Sequence, residues 1–199
     1  DLRIGIVSRE GRMHRALLRY GVPGLAWPAQ PGLAAELRTP KVNVAAWQAF
    51  LARPVLTAQG RKDPTAGLPE LHRISLETDE LQLGEERFAS TRIRAVKQDK
   101  GWDLQVKGLQ PLRWPNWPVT EVAATLQSQG NAWQLAPLSV KQPLLSFAGS
   151  AAWGAGSEQT LIKGRVDASD IGAIMAQMGI EHALSSDSVV ASGELSWPG

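Results

Sequence analysis

The chain has 199 residues, 43% of them hydrophobic, a formal charge of +2 and no cysteine. It is long enough for one large β domain or two small ones and too apolar for a disordered chain. Disulfides, thiol catalysis and Cys-ligated metals are excluded, and so small a basic surplus gives no argument for a nucleic-acid partner.

No run of about 18 apolar residues reads as a membrane-spanning helix, and no secretory signal is visible. The ends, "DLRIGIV" and "SWPG", read as cut from something longer, which would put any anchor out of view.

Residues 1–53 are expected to close one β repeat. "LRIGIVS", the turn "REG" and "GRMHRALLRYG" read as a hairpin, although the last stretch also fits a basic amphipathic helix. Arg3, Arg9, Arg12, Arg15 and Arg19 stand here against Asp1 and Glu10. Such a charge run suits a solvated strand face or, more specifically, an acidic membrane surface or lipid headgroup. A strand, "LAAELRTPK", then leads into a short helix over 44–51, with Asn43 placed to cap it. Residues 54–70, punctuated by Pro and Gly, read as a loop or linker.

Residues 71–199 read as a β-hairpin array. In "ASTRIRAV", Ala89, Thr91, Ile93 and Ala95 alternate with Ser90, Arg92 and Arg94. "QDKG" then turns into "WDLQVK", where Trp102, Leu104 and Val106 oppose Asp103, Gln105 and Lys107. Val122, Ala124 and Leu126 alternate, "SQGN" turns, and Trp133 and Leu135 continue the apolar side. Leu145, Phe147, Gly149, Ala151 and Trp153 share a face, as do Ile162, Gly164 and Val166, and Val189, Ala191, Gly193, Leu195 and Trp197. Period-two alternation of this kind is the pattern of antiparallel sheets with one dry and one wet side. Gly149, Gly164 and Gly193 permit a sheet to curl.

A second short helix is expected over 168–178, capped by Asp167, favoured electrostatically by Asp170 and ended by Gly179. The stretches "VNVAAWQAFL" (42–51) and "VDASDIGAIM" (166–175) align without gaps, Val42 on Val166, Asn43 on Asp167, Trp47 on Ile171, Phe50 on Ile174 and Leu51 on Met175. The recurring unit is a strand, a capping Asn or Asp and a helix with an apolar stripe. Repeats of that kind favour a stacked array, and a generic strand-to-helix junction met twice is the plainer account. "RWPNWP" at 113–118 cannot sit in a regular central strand. It reads as an edge segment, a packed corner or an amphipathic lip near headgroups.

Nothing spells out an enzyme. His14, His72 and His182 lack metal-ligand spacing, Glu77, Asp79, Glu80, Glu85 and Glu86 lack the calcium-loop pattern, and "GAGS" at 154–157 is only a Gly-rich turn. No cofactor, catalytic residue or metal ligand is assigned. About ten strands with one apolar side and only two short helices leave two outcomes. Either the sheet folds over into a closed core, or part of its apolar side stays open for a ligand.

Three stretches carry a resemblance. "GLAAELRTPKVNVAAWQAFL" after its "WPAQPG" lead-in is similar to a segment of the AsmA-like (YhdP-type, DUF3971-type) bacterial envelope proteins. "ISLETDELQLGEERFASTRIRAVKQDKGWDLQVKG" resembles that family's strand, "LxLG", basic strand and "GW-x-L" hairpin. "VDASDIGAIMAQMGI … VVASGELSWPG" resembles its closing pattern. Asn43 and Val44 depart from the family's acidic pattern, and residues 1–24 match weakly.

The resemblance implies an extended, curled antiparallel β-sheet forming an open, repeat-like groove with two short helices. It implies the periplasmic portion of a protein anchored in the Gram-negative inner membrane. The groove would shield phospholipid acyl chains on their way to the outer membrane, through contacts with Ile93, Trp102, Leu104, Val106, Trp133, Leu135, Leu145, Phe147, Trp153, Val189 and Leu195. The alternative is a closed-core structural or protein-docking envelope domain with no lipid path of its own.

Overall fold

A computed structural model describes residues 1–10, 12–24, 27–46, 70–129, 132–154, 157–177, 179–180 and 188–198. The protein is mainly β, as the alternation predicts. Its strands are β1 (Leu2–Arg9), β2 (Arg12–Tyr20), β3 (Gly32–Asn43), β4 (Leu71–Leu83), β5 (Glu86–Gln98), β6 (Gly101–Pro111), β7 (Thr120–Gln129), β8 (Ala132–Lys141), β9 (Leu145–Gly154), β10 (Ser157–Ala168) and β11 (Val189–Pro198). One helix, α1 (Ile171–Gln177), lies between β10 and β11. Strand order in the sheet follows chain order. The chain forms two compact units, residues 1–94 and 95–199, which divide within β5.

In the first unit the hairpin reading of residues 2–20 holds, with β1 antiparallel to β2. The next two pairings differ from a pure meander, because β2 runs parallel to β3 and β3 parallel to β4. Parallel neighbours need a crossover long enough to bring the chain back to the starting end. Residues 21–31 supply one and residues 44–70 the other.

The first crossover lies on one face of the unit. Trp27 stands over Gly5, where a Cβ would come within 2.6 Å of the indole ring. Arg19 Nη1 donates to the Gly24 carbonyl at 2.6 Å and Arg15 Nη1 to the Pro28 carbonyl at 3.3 Å. Leu17 and Ala34, register partners on that face, are buried beneath it. Arg19 also donates from Nε to Glu36 Oε2 at 2.8 Å, and Arg73 Nη2 reaches Glu36 Oε1 at 3.0 Å.

Both readings of the N-terminal arginines as surface charge are therefore corrected for Arg15 and Arg19. Arg19 is buried, and these two side chains tie the crossover to the sheet.

In the second unit, β6 to β11 form an unbroken antiparallel meander. Its buried cluster is Ala124, Leu138 and Ala151, with Val122, Leu135, Val140, Phe147 and Ile162 packed against it. Every member lies on the same face of β7 to β10, so the cluster is a single layer.

The helix signals need one correction. Asn43 does cap, its Oδ1 accepting the Ala46 N–H at 2.9 Å where residues 44–46 turn helical. Trp47, Phe50, Leu51, the rest of that helix and residues 54–69 of the proposed linker lie outside the described residues. At α1 the cap is Asp170, whose Oδ1 accepts the Ala173 N–H at 2.8 Å. Asp167 belongs to β10 and accepts from Arg165 at 2.9 Å instead. The gapless alignment is thus three residues out by capping role, because β10 continues through Ala168. Gly179 ends α1 as expected. With φ +75 it donates to the Ala176 carbonyl at 3.0 Å while Ile180 donates to Met175 at 3.0 Å, the two bonds of a Schellman motif.

Candidate lipid-binding face

Cross-strand partners share a face, so register turns the alternating residues of the second unit into rows. One row runs Trp102, Leu126, Leu135, Ala151, Ile162, Leu195 from β6 to β11. The next runs Leu104, Ala124, Leu138, Gly149, Gly164, Gly193. A third runs Val106, Val122, Val140, Phe147, Val166, Ala191. Trp133 pairs with Trp153 beside the first row, and Leu145, Ala168 and Val189 extend the far side.

Ten of the eleven expected lipid contacts (Trp102, Leu104, Val106, Trp133, Leu135, Leu145, Phe147, Trp153, Val189 and Leu195) therefore occupy one face of one unit. The eleventh, Ile93, stands on β5. It belongs to the first unit and is half-buried, with Thr91 and Ala95 buried on either side.

Two residues at the centre escaped the alternation. Leu138 and Val140 share the face with Leu135 although Leu138 is an odd number of positions away. A bulge at Ala136 and Pro137 puts two residues of β8 opposite one on each neighbour and resets the parity. Pro137, which cannot donate to a ladder, is the one sequence signal for it. A second bulge, between Val106 and Leu109, keeps Leu109 on the face, and Gly108 takes φ +84 there.

The face is only partly covered. Leu195 is 63% exposed, and Trp133 and Trp197 are exposed as well. A Cβ built on Gly193 meets nothing within 4 Å. Phe147 fills the middle of the glycine row, its ring 2.8 Å from a Cβ at Gly149 and 2.6 Å from one at Gly164.

The first unit carries an apolar face opposite its first crossover. Leu2, Ile4 and Ile6 pair with Tyr20, Leu18 and Ala16, then with Leu37, Ala35 and Leu33 of β3 and Leu76, Ile74 and Leu71 of β4. Ile4 is 65% exposed. The alternation in "LRIGIV" was sufficient to nominate Leu2, Ile4 and Ile6, which the candidate set omits.

The reverse face of the second unit is polar. Asp103 accepts from Gln98 at 2.8 Å and from Thr125 at 2.9 Å. Arg165 holds the Asp167 carboxyl below its ordinary range by hydrogen bonding to it. A hollow of about 250 Å³ opens here, floored by Ala123 and rimmed by Gln105, Ser139, Lys141 and the Lys107–Glu121 pair at 3.9 Å. Among the described residues no three His, Cys, Asp or Glu side chains converge as metal ligands, and no helix is long and apolar enough to cross a membrane. His182 lies outside the described residues.

Fold and site together define a mainly β protein whose sheet keeps solvent-accessible apolar rows on one side of each unit. No protein-family model, no curated protein and no solved structure matches the chain.

Proposed function

We propose that this chain is a lipid-binding module whose apolar rows shield phospholipid acyl chains. The observation that carries the reading is the exposure of Leu195, Trp133 and Trp197 on the same face as a one-layer apolar cluster. Each methylene moved from water onto such a face contributes about 0.8 kcal/mol, so a few retain a chain without any specific polar contact. The resemblance to AsmA-like proteins supports the same reading. On it, the module is a periplasmic part of a bridge from the inner to the outer membrane, and no step of chemistry is assigned to it.

The test is native mass spectrometry of protein purified from a Gram-negative host, with photo-crosslinkers placed at Leu104 and Phe147. The expected result is bound phospholipid and lipid adducts from both positions. Absence of lipid by both methods overturns the proposal and leaves the closed-core docking domain in its place.

A further inference from the structure

We propose that the loop joining β6 to β7 docks the protein on the interface of a phospholipid bilayer containing anionic headgroups. The loop reads "LRWPNWPV" from 112 to 119. Leu112, Trp114 and Val119 are 43%, 42% and 50% exposed. Three large apolar side chains projecting from one eight-residue connection make a concentrated patch, and such patches mark interaction sites.

Several of the loop's backbone groups are paired within it. The Trp114 N–H donates to the Pro111 carbonyl at 3.1 Å and the Trp117 N–H to the Trp114 carbonyl at 2.9 Å. Gln110 Nε2 donates to the carbonyls of Pro115 at 2.9 Å and Trp117 at 3.2 Å. Pro115 and Pro118 have no N–H to satisfy. Each backbone group paired within the connection is one fewer to desolvate on entering a poorly hydrated layer. Trp117 is half-buried and Trp114 exposed, their ring centroids 6.0 Å apart and tilted by 44°. Trp117 thus roots the loop and Trp114 is its tip.

The chemistry of the tip fits lipid headgroups. Indole combines an apolar body with one N–H and collects at the membrane–water boundary. The Arg113 guanidinium carbon lies 5.0 Å from the Trp114 ring centroid, which keeps a permanent cation beside the inserted ring at the level of phosphates. Lys107, in the half of β6 nearer the loop, and Lys141, at the adjoining end of β8, add two cations against Glu121. The turn at the opposite end of β6 is Asp99–Lys100, without an apolar side chain.

Leu109, on the apolar face, pairs with Thr120 at the root of the loop. An acyl chain held on the face would therefore reach the bilayer at this end. That last step rests on the lipid-binding reading; docking by the tip does not.

Because the chain has no cysteine, Asn116→Cys gives a unique label site in the loop and Asp99→Cys one at the opposite turn. Each is coupled to an environment-sensitive fluorophore and mixed with vesicles of phosphatidylcholine, with and without phosphatidylglycerol. The proposal expects a blue shift at position 116 and none at 99, stronger with phosphatidylglycerol. Leu112→Ser combined with Trp114→Ser should weaken vesicle partition by about tenfold or more. No shift at 116, equal shifts at both sites, or a shift indifferent to the double substitution overturns it. So does a shift that appears without vesicles on raising protein concentration, which would mark self-association. Co-purified lipid is measured on the same variants. Lipid bound without docking refutes the tip alone, and docking without bound lipid refutes the acyl-chain reading alone.

Discussion

The ring of Phe147 on β9 lies against the α-carbon of Gly164 on β10, so close that a Cβ added there would sit 2.6 Å from ring Cε2 and Cζ. The Ala148 carbonyl oxygen closes the same space from the backbone side at 2.5 Å. The carbonyl cannot withdraw without disturbing the β9–β10 ladder. Gly164→Ala is therefore expected to lower stability by about 1–3 kcal/mol, the usual range for overpacking. A shift in the urea midpoint with an unchanged slope would register it; no shift would mean that Phe147 rotates away freely.

Glu36 is the shared acceptor of two strands. Its carboxylate takes Arg19 from β2 and Arg73 from β4, with side-chain exposures of 7% for Arg19 and 29% for Arg73. Removing it takes the carboxylate away from a desolvated guanidinium that also donates to the Pro23 and Gly24 carbonyls. Glu36→Ala should cost about 2–3 kcal/mol, somewhat below a fully buried pair because Arg73 is partly solvated. Arg73→Ala should cost less than Glu36→Ala. The reverse order in denaturant unfolding would show that Arg19 is held by the Gly24 carbonyl instead.

These two sites show where the sequence was readable. Hairpins were legible wherever a polar turn separated two alternating runs, because register and face follow directly from period two. Ten of the candidate contacts reached one face for that reason. Pairing direction was not legible, because β2, β3 and β4 alternate like any half-buried strand and only the path of the connection makes them parallel. Arg15 and Arg19 looked like surface charge because their acceptors, crossover carbonyls and the Glu36 carboxylate, lie 4 to 17 residues away. Leu138 was hidden by a bulge that changes parity, and Asp170 by a strand that continues through Ala168, which moves the cap three residues on.

His72 gives the first unit a pH dependence. Burial, and then the neighbouring Arg73 charge, lower its pKa below the ordinary 6.5, against a smaller opposing effect of the Leu33 backbone. The folded state therefore prefers the neutral ring. Its contribution is complete above the unfolded value and declines as pH falls from about 6.5 through the lowered folded value. Wild-type stability should drop across that interval, and His72→Asn should flatten the profile there. Glu80, lowered chiefly by its hydrogen bond to Lys41, acts separately below 4.5. A profile unchanged by His72→Asn would place the titrating group elsewhere.

The two aspartates before α1 should part company on substitution. Asp170→Ala removes the acceptor of the Ala173 N–H and is expected to cost about 1 kcal/mol. Asp167→Ala breaks only a solvent-exposed pair with Arg165 and should leave the helix intact. Amide exchange at Ala173 reads the difference directly: faster in the first variant, unchanged in the second. Equal acceleration in both would return the cap to Asp167.

The openness of the apolar face has a test that separates folding from binding. Leu195 is 63% exposed, and the neighbouring Gly193 has empty space where a side chain would begin. In a sealed core, a charge at 195 or a leucine at 193 would each cost several kcal/mol through desolvation or overpacking. On an open face both are nearly free, so Leu195→Glu and Gly193→Leu should each change unfolding free energy by no more than about 1 kcal/mol. Lipid retention should respond very differently, because a carboxylate beneath an acyl chain loses its water without gaining a partner. Leu195→Glu is expected to lower retained phospholipid by about tenfold, the equivalent of about 1.4 kcal/mol, while Gly193→Leu leaves it equal or higher. A stable Leu195→Glu protein with undiminished lipid would move the bound chains off this face. An unfolded one would show that the face is buried in solution.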